Sequence, residues 1–363
     1  MSPPALLVLA AGPGVTVQDS GRHGWLRYGI TPAGPMDPLA HATANLAAGN
    51  GPGAAAVEVS VGGLEVTAEG AALAVALAGG SFRISLDGRA LPPAVALALE
   101  PGARLRIAPG LAGSWCTLAV AGGLDVAPVL GSAATHTRSG LGGHDGRALR
   151  AGDRLLVAGA HPTAAEACPP AAGAHATAAG AHATAPDAAA LVAPWLERPS
   201  DVVRVVLGPQ DDHFAPDQVA AFLDHTWTVS ARGDRMAAIL EGAPLRHRRG
   251  HDIVSDGVAA GSVQVPGDGR PIVLMADRQP TGGYPKIACV IGADLGRLAQ
   301  ARAGARVRFR AVSVAEAVAA RREEAACLAR AIARAPLVRT AFASEFLLGL
   351  NLVDGVVDAV AAG

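Results

Sequence analysis

Aromatic residues make up only 3% of this 363-residue chain, and lysine occurs once, at Lys286, beside 29 arginines. A core must therefore be assembled from Val, Leu, Ile and Ala; half the residues are hydrophobic, so the material is there. Charge of one sign is lacking too. Lys and Arg total 30 against 31 for Asp and Glu, which leaves no electrostatic footprint for nucleic acid. The basic run Arg246–Arg249 reads as a solvated loop. Cysteine is sparse: Cys116, Cys168, Cys289 and Cys327 form no C-x-x-C pair, which argues against a zinc knuckle or a disulfide framework and for reduced thiols. Long apolar runs are missing. Ala5–Ala10 and Ala71–Ala78 are too short to span a bilayer, and no Lys or Arg precedes the first, so it reads as a strand rather than a signal peptide. The expectation is a soluble cytoplasmic protein with neither membrane nor nucleic acid as partner. No G-x-x-x-x-G-K-[ST] loop, no G-x-S-x-G elbow and no lysine flanked by methionines is present, so the chain carries no P-loop, no hydrolase serine of that type and no biotin of its own.

What is abundant is turn-forming residues, 45 Gly and 26 Pro, scattered between short alternating segments. Val57–Val61 and Leu64–Thr67 flank Gly62-Gly63 and predict a hairpin. Phe82–Leu86 alternates up to an Asp87-Gly88 turn; Leu105–Ile107, Leu118–Val120 and Asp153–Val157 continue the pattern. From about 159 the composition changes: Gly173–Ala178 recurs as Gly180–Ala185, low-complexity sequence that reads as a linker. Its histidines, His161, His175 and His182, lack carboxylate or thiolate partners at fixed spacing, so no metal site is assigned. Strands return with Val203–Leu207, Thr226–Val229, Ser262–Val265, Ile272–Met275 and Val307–Val312; Pro216–Leu223 has helical spacing, as does Val314 to about Arg334. The fold class expected is mainly β: an N-terminal β domain at 1–158, a linker at 159–199, a second β domain at 200–312 and a helical tail at 313–363.

Polar residues are densest after the strand Ile272–Met275, in the run Ala276–Lys286. It holds the sole lysine, one of two tyrosines, and Gly282-Gly283, which permit close backbone approach to a ligand. Lys286, Tyr284 and Asp277 are the catalytic candidates; Gln279, Thr281, Gly282 and Gly283 are the substrate-binding ones. Asp19 and Arg22, in Val17–Gly24, are placed to pair with each other or to bind a polar ligand. Asp234 and Arg235, in Arg232–Met236, form a third segment, and Gly142–Arg147 reads as a glycine-bearing turn.

Val17-Gln18-Asp19-Ser20-Gly21-Arg22, Gly34-Pro35-Met36-Asp37, Ala44-Asn45-Leu46 and Gly49-Asn50 together resemble the opening motif of the KipA/PxpC family of biotin-dependent-carboxyltransferase-like proteins. Gly208-Pro209-Gln210 and Asp234-Arg235-Met236 resemble the family's middle, although the G-x-R-L-x-G that usually follows is replaced by Ala237–Gly242. Gln264-Val265-Pro266 with Gln279–Lys286 resembles its most specific block, which adds Gln264 to the substrate-binding candidates; Asn351–Val357 resembles a C-terminal element. The resemblance implies tandem cyclophilin-like β-barrels and a PxpB/KipI-like partner subunit. With a third, PxpA-like subunit, such proteins cleave 5-oxo-L-proline to L-glutamate using ATP, which would enter through the complex. Two other functions share the motifs: the carboxyltransferase part of a urea or amide carboxylase, and a non-enzymatic regulator that binds a KipI-like kinase inhibitor. In either reaction a planar amide develops oxyanion charge. The implied roles are an ammonium from Lys286, a hydroxyl from Tyr284, backbone contacts from Gly282 and Gly283, orientation of a substrate N–H by Asp277 and a bond to a carbonyl from Gln279.

Overall fold

The computed structural model describes residues 3–158, 188–198, 201–330 and 332–336; the histidine-bearing repeat, Cys168 and Asn351–Val357 lie outside them. The first half contributes β1 (Ala5–Ala11), β2 (Thr16–Gln18), β3 (Ala56–Ser60), β4 (Leu64–Glu69), β5 (Leu73–Leu86), β6 (Arg89–Leu91), β7 (Val95–Leu99), β8 (Leu105–Val120), β9 (Arg154–Leu156) and β10 (Ala188–Val192). The second contributes β11 (Val202–Leu207), β12 (Trp227–Val229), β13 (Ala237–Glu241), β14 (Asp256–Gly257), β15 (Ser262–Gln264), β16 (Ile272–Leu274), β17 (Thr281–Gly282), β18 (Lys286–Val290), β19 (Arg306–Ala311) and β20 (Ala333–Pro336). Four α-helices are described: α1 (Pro38–Ala47), α2 (Pro216–Asp224), α3 (Gly292–Gln300) and α4 (Val314–Leu328). The protein is mainly β, and none of its described helices is long and apolar enough to cross a membrane.

The first half is one eleven-stranded sheet in the order β20-β10-β7-β5-β8-β4-β1-β9, with β2, β3 and β6 as branches. Its backbone is the antiparallel pair β5 and β8, which run together from Val75 opposite Val120 to Leu86 opposite Leu105. The register shifts around Gly79–Ser81, where Gly79 has φ of +144° and its missing Cβ clears the backbone of Trp115 and Cys116. The hairpin expected at Gly62-Gly63 does not form. β3 pairs with Trp115–Leu118 and β4 with Leu105–Ile107, so consecutive segments of one bent strand hold both. The core beneath is aliphatic, with Phe82 as its aromatic member. A second layer of alanines, among them Ala44, Ala47, Ala76, Ala78 and Ala119, lets α1 lie close on the sheet.

The second half is a closed barrel, β11-β18-β15-β16-β13-β12-β19, in which β19 returns parallel to β11. Its core holds the buried rings Phe214, Phe222, Trp227 and Phe309. Phe222 of α2 stacks on Phe309 with centroids 4.6 Å apart, and the fully buried Trp227 donates its indole N–H to the Phe222 carbonyl at 3.0 Å. Outside the barrel, β14 and β17 pair as a small ribbon. The helix at Val314 starts on a capping box of Ser313 and Glu316 and ends at Leu328, short of Arg334, because the chain turns back as β20 onto β10. Residues 188–192, inside the segment expected as linker, are likewise a strand, paired to β7 on one side and β20 on the other.

Asp37 joins the halves. Its carboxylate caps α1 through the Ala40 N–H, and accepts from Arg198 Nη2 at 2.7 and 2.8 Å and from Gln300 Nε2 at 2.9 Å. Gln300, the last residue of α3, also donates to the Trp115 carbonyl and accepts from the Ser114 and Trp115 N–H groups. Arg302 adds bonds to the Gly110 and Gly113 carbonyls.

Candidate active site

Two polar centres emerge where the sequence is richest in charged and amide side chains. The first lies between the halves. Arg235 precedes β13 and Asp277 follows β16, and the Asp277 N–H donates to the Arg235 carbonyl at 2.9 Å, so strand pairing sets the two side by side. Arg235 is buried and grips Asp277 with Nε and Nη2 at 2.9 and 3.0 Å. Its Nη1 meets Glu58 of β3, and its Nη2 also donates to the Gly34 carbonyl at 2.6 Å. Glu58 in turn accepts the Met36 N–H at 2.6 Å. Burial pushes the Glu58 carboxyl up to about 7, with Arg235 and the Met36 N–H opposing. Asp277 therefore has both oxygens occupied by a guanidinium. A cleft of about 630 Å³, lined by Met36, Trp115, Ser230 and Met275, opens onto Arg235, whose guanidinium carbon lies 5.8 Å from the Trp115 ring centroid.

Asp19 and Arg22 come together on one loop but not as an ion pair. Asp19 accepts from the N–H groups of Gly21 and Ala133 and from Ser132 Oγ. Arg22, fully buried, donates to the carbonyls of Val129, Ser132 and Ala134, and its Nη1 has no partner among the described residues. Both side chains brace residues 129–134. Burial lowers the Arg22 pKa, against the pull of Asp19 and Asp277. Asp234 closes its own turn by accepting from the Met236 and Ala237 N–H groups and is exposed.

The second centre gathers around Lys286 at the start of β18. Its ammonium donates to Asp256 Oδ2 at 3.0 Å; the lysine side chain is 3% exposed and the aspartate 54%. The bond holds the Asp256 carboxyl below its usual range. Gln264 of β15 stands opposite Lys286 in register, and the two side chains share a face of the sheet. Gln264 Oε1 accepts from Gln279 Nε2 at 3.3 Å, while Gln264 Nε2 is buried with no partner among the described residues. That nitrogen lies over Gly282, where a Cβ would strike it. Gln210 accepts the Lys286 N–H at 3.2 Å and returns its own N–H to the Lys286 carbonyl. Asp256 and Gly282 face each other in the β14–β17 ribbon, so the ribbon carries the carboxylate across to the ammonium. Gly283 accepts the Ile253 N–H; Thr281 and Tyr284, the latter 40% exposed, stand at the rim.

The structure thus brings Lys286, Gln264, Gln279 and Gly282 into one place and commits Asp277 and Arg235 to another. Three participants were not singled out from sequence: Glu58, Asp256 and Gln210. An acidic residue inside the apolar strand Val57–Val61 is a signal for Glu58, and Gln210 sits in a recognised motif; Asp256 carries none. Among the described residues no group of three or more His, Cys, Asp or Glu is arranged to hold a metal ion.

The family described as carboxyltransferase domain, subdomain A and B, matches residues 28–311. The C subunit of the 5-oxoprolinase of Escherichia coli (strain K12) is 36% identical over 319 residues, covering 88% of this chain and 95% of that protein. Its namesake in Haemophilus influenzae is 34% identical over 308 residues, covering 85% and 91%. The crystal structure of Kluyveromyces lactis urea carboxylase superposes with a TM-score of 0.76 at 26% identity, covering 90% of this chain but 29% of that one.

Proposed function

Because this chain belongs to the carboxyltransferase family of A and B subdomains, we propose that it serves as the C subunit of a 5-oxoprolinase, a hydrolase complex that opens 5-oxo-L-proline to L-glutamate. In that reaction water adds at the lactam carbonyl carbon and the ring C–N bond breaks; the water oxygen enters the new carboxylate and the ring nitrogen becomes the amine. Cleavage of ATP to ADP and phosphate drives it, with ATP bound through the complex and PxpA- and PxpB-like chains as the other subunits. No biotin is attached to this chain in the scheme.

The observation that carries the reading is the donor pair on facing strands: the Lys286 ammonium and the Gln264 amide, which has no partner among the described residues, both buried, with Gln279 and Gly282 against Gln264. Preorganised donors in a dry site stabilise the negative charge of a bound lactam acid far better than water does. Gln279 orients Gln264 through its Oε1, and Gly282 leaves room for the amide. Asp277 acts through Arg235, which it holds in place, rather than on the substrate N–H. The match to urea carboxylase favours a second reading, a carboxyltransferase acting on urea or a related amide. Mixing the three subunits with 5-oxoproline and ATP should release glutamate, and the chain should co-purify with its PxpB-like partner through an interface on the order of 1,000 Å² or more. Absence of glutamate from the complete mixture overturns the proposal. In the assembled complex Lys286→Arg should lower kcat/KM by roughly a hundredfold, because the guanidinium keeps the charge but not the compact geometry; wild-type turnover would remove Lys286 from the site.

A further inference from the structure

Lys286 is a buried ammonium with a single, half-exposed counter-ion among the described residues. Of its three N–H donors, one goes to Asp256, and no other partner of Nζ is found among the described residues. Across the sheet, Gln264 holds a second buried donor without a partner among those residues. The enclosed face of this site is thus rich in donors, and the group that satisfies the ammonium comes from outside the barrel, on a ribbon of two residues per strand. Beside it, Asp252–Ser255 runs exposed apart from Ile253, and Val254 is 91% exposed. Arg278 ties the base of this ribbon down by donating to the Val258 carbonyl at 3.1 Å. Farther along, the Ile253 N–H continues the ribbon's pairing by donating to the Gly283 carbonyl, and Asp256 reaches the barrel through Lys286.

We propose that the Lys286 ammonium, flanked by the Gln264 amide, is a carboxylate-binding subsite whose resident occupant is the Asp256 side chain, and that a substrate carboxylate enters by replacing it. The inference rests on the reading of the chain as a subunit that takes 5-oxoproline, a lactam bearing one carboxylate. Charge argues for replacement over addition. Stripping a buried ammonium of a counter-ion is strongly unfavourable, whereas exchanging one carboxylate for another leaves the charge count of the site unchanged. Asp256, already half in water, swings outward at little desolvation cost. The lactam carbonyl of the seated substrate then lies toward Gln264 Nε2, the donor left open on the same face.

The exchange predicts opposite results from a positioning role. If Asp256 merely aimed Lys286, removing it would damage every substrate alike. If it occupies the subsite, removing it clears an internal competitor. In the reconstituted complex Asp256→Ala should then lower KM for 5-oxoproline about tenfold, in proportion to the fraction of open sites gained, and leave KM for 2-pyrrolidinone, the same lactam without the carboxylate, unchanged. Asp256→Asn, which keeps shape and a hydrogen-bond acceptor, should fall between. A second measurement needs no activity. Acetate should raise the melting temperature of the full-length Asp256→Ala chain relative to chloride at equal ionic strength, and should do so neither for wild type nor for the Lys286→Met/Asp256→Ala double variant. If acetate stabilises wild type and Asp256→Ala equally, or if Asp256→Ala lowers kcat for both lactams with no gain in KM, the inference is overturned. Acetate rescue in a chain whose complete complex releases no glutamate supports the subsite while removing 5-oxoproline as the substrate.

Discussion

Arg235 is one guanidinium between two buried carboxylates, Glu58 and Asp277. Replacing it by Met leaves two acids in the interior without a cation, and the expected loss is about 3–5 kcal/mol of stability, measured by urea unfolding. Glu58 supplies a pH signature. A carboxyl whose folded pKa of about 7 lies above its ordinary value of 4.5 favours the folded state while protonated; that contribution is full below 4.5 and is lost as pH rises to about 7. His41 works in the other direction. Burial lowers its pKa from 6.5 to about 4, so its contribution is full above 6.5 and is lost as pH falls toward 4. Between pH 4.5 and 6.5 the two slopes oppose. Glu58→Gln should uncover the His41 slope, so that the variant, relative to wild type, gains stability as pH rises through this range. Melting curves at pH 4.5, 5.5 and 6.5 check it; parallel profiles for the two proteins would show Glu58 to be ionised throughout.

At the scale of elements, α3 exerts its hold on the first half through its final side chain. Gln300→Ala removes the acceptor for the Ser114 and Trp115 N–H groups and a donor to Asp37. Each buried group left without a partner costs about 1–3 kcal/mol, so a loss of at least about 2 kcal/mol is expected in thermal or urea unfolding. Neither this helix nor α1 is legible in the sequence. α1 has its cap and proline in plain view, Asp37-Pro38, but it packs on the sheet through alanines set among buried His41, Thr43 and Asn45, which gives no apolar periodicity to read. α3 begins on Gly292 with no side-chain cap. The strands with clear alternation, Phe82–Leu86 and Val307–Val312, are legible because one face is wet. The pairing of β3 and β4 is not, because the strand that holds both arrives later in the chain and bends between them. The candidate site shows the same division. Lys286 and Gln279 stand out locally, being a lone lysine in a dense polar run. Glu58 needs Arg235, 177 residues away, before its burial makes sense, and Asp256 acquires a role only when the ribbon folds over β18.

The whole molecule is not two beads on a string. β10 precedes the barrel in sequence and β20 follows it, yet they are neighbours in the sheet of the first half, with Val192 opposite Ala333. A protease site engineered between residues 159 and 187 should therefore yield two pieces that co-elute after cleavage, joined by β7–β10 pairing and by the Arg235, Gln300 and Arg302 contacts; elution as separate species would contradict the structure. A product ending at 158 should aggregate, since β7 would present a bare edge. The same geometry makes the barrel excisable. Two antiparallel strands whose ends already face each other need only a two-residue turn, so Val192 and Ala333 joined through Asn-Gly would dispense with everything between them. Such a miniature would keep the edge hairpin of the parent sheet and lose Lys286 and its neighbours altogether, turning one half of the molecule into a scaffold against which the other can be assayed as a transplant.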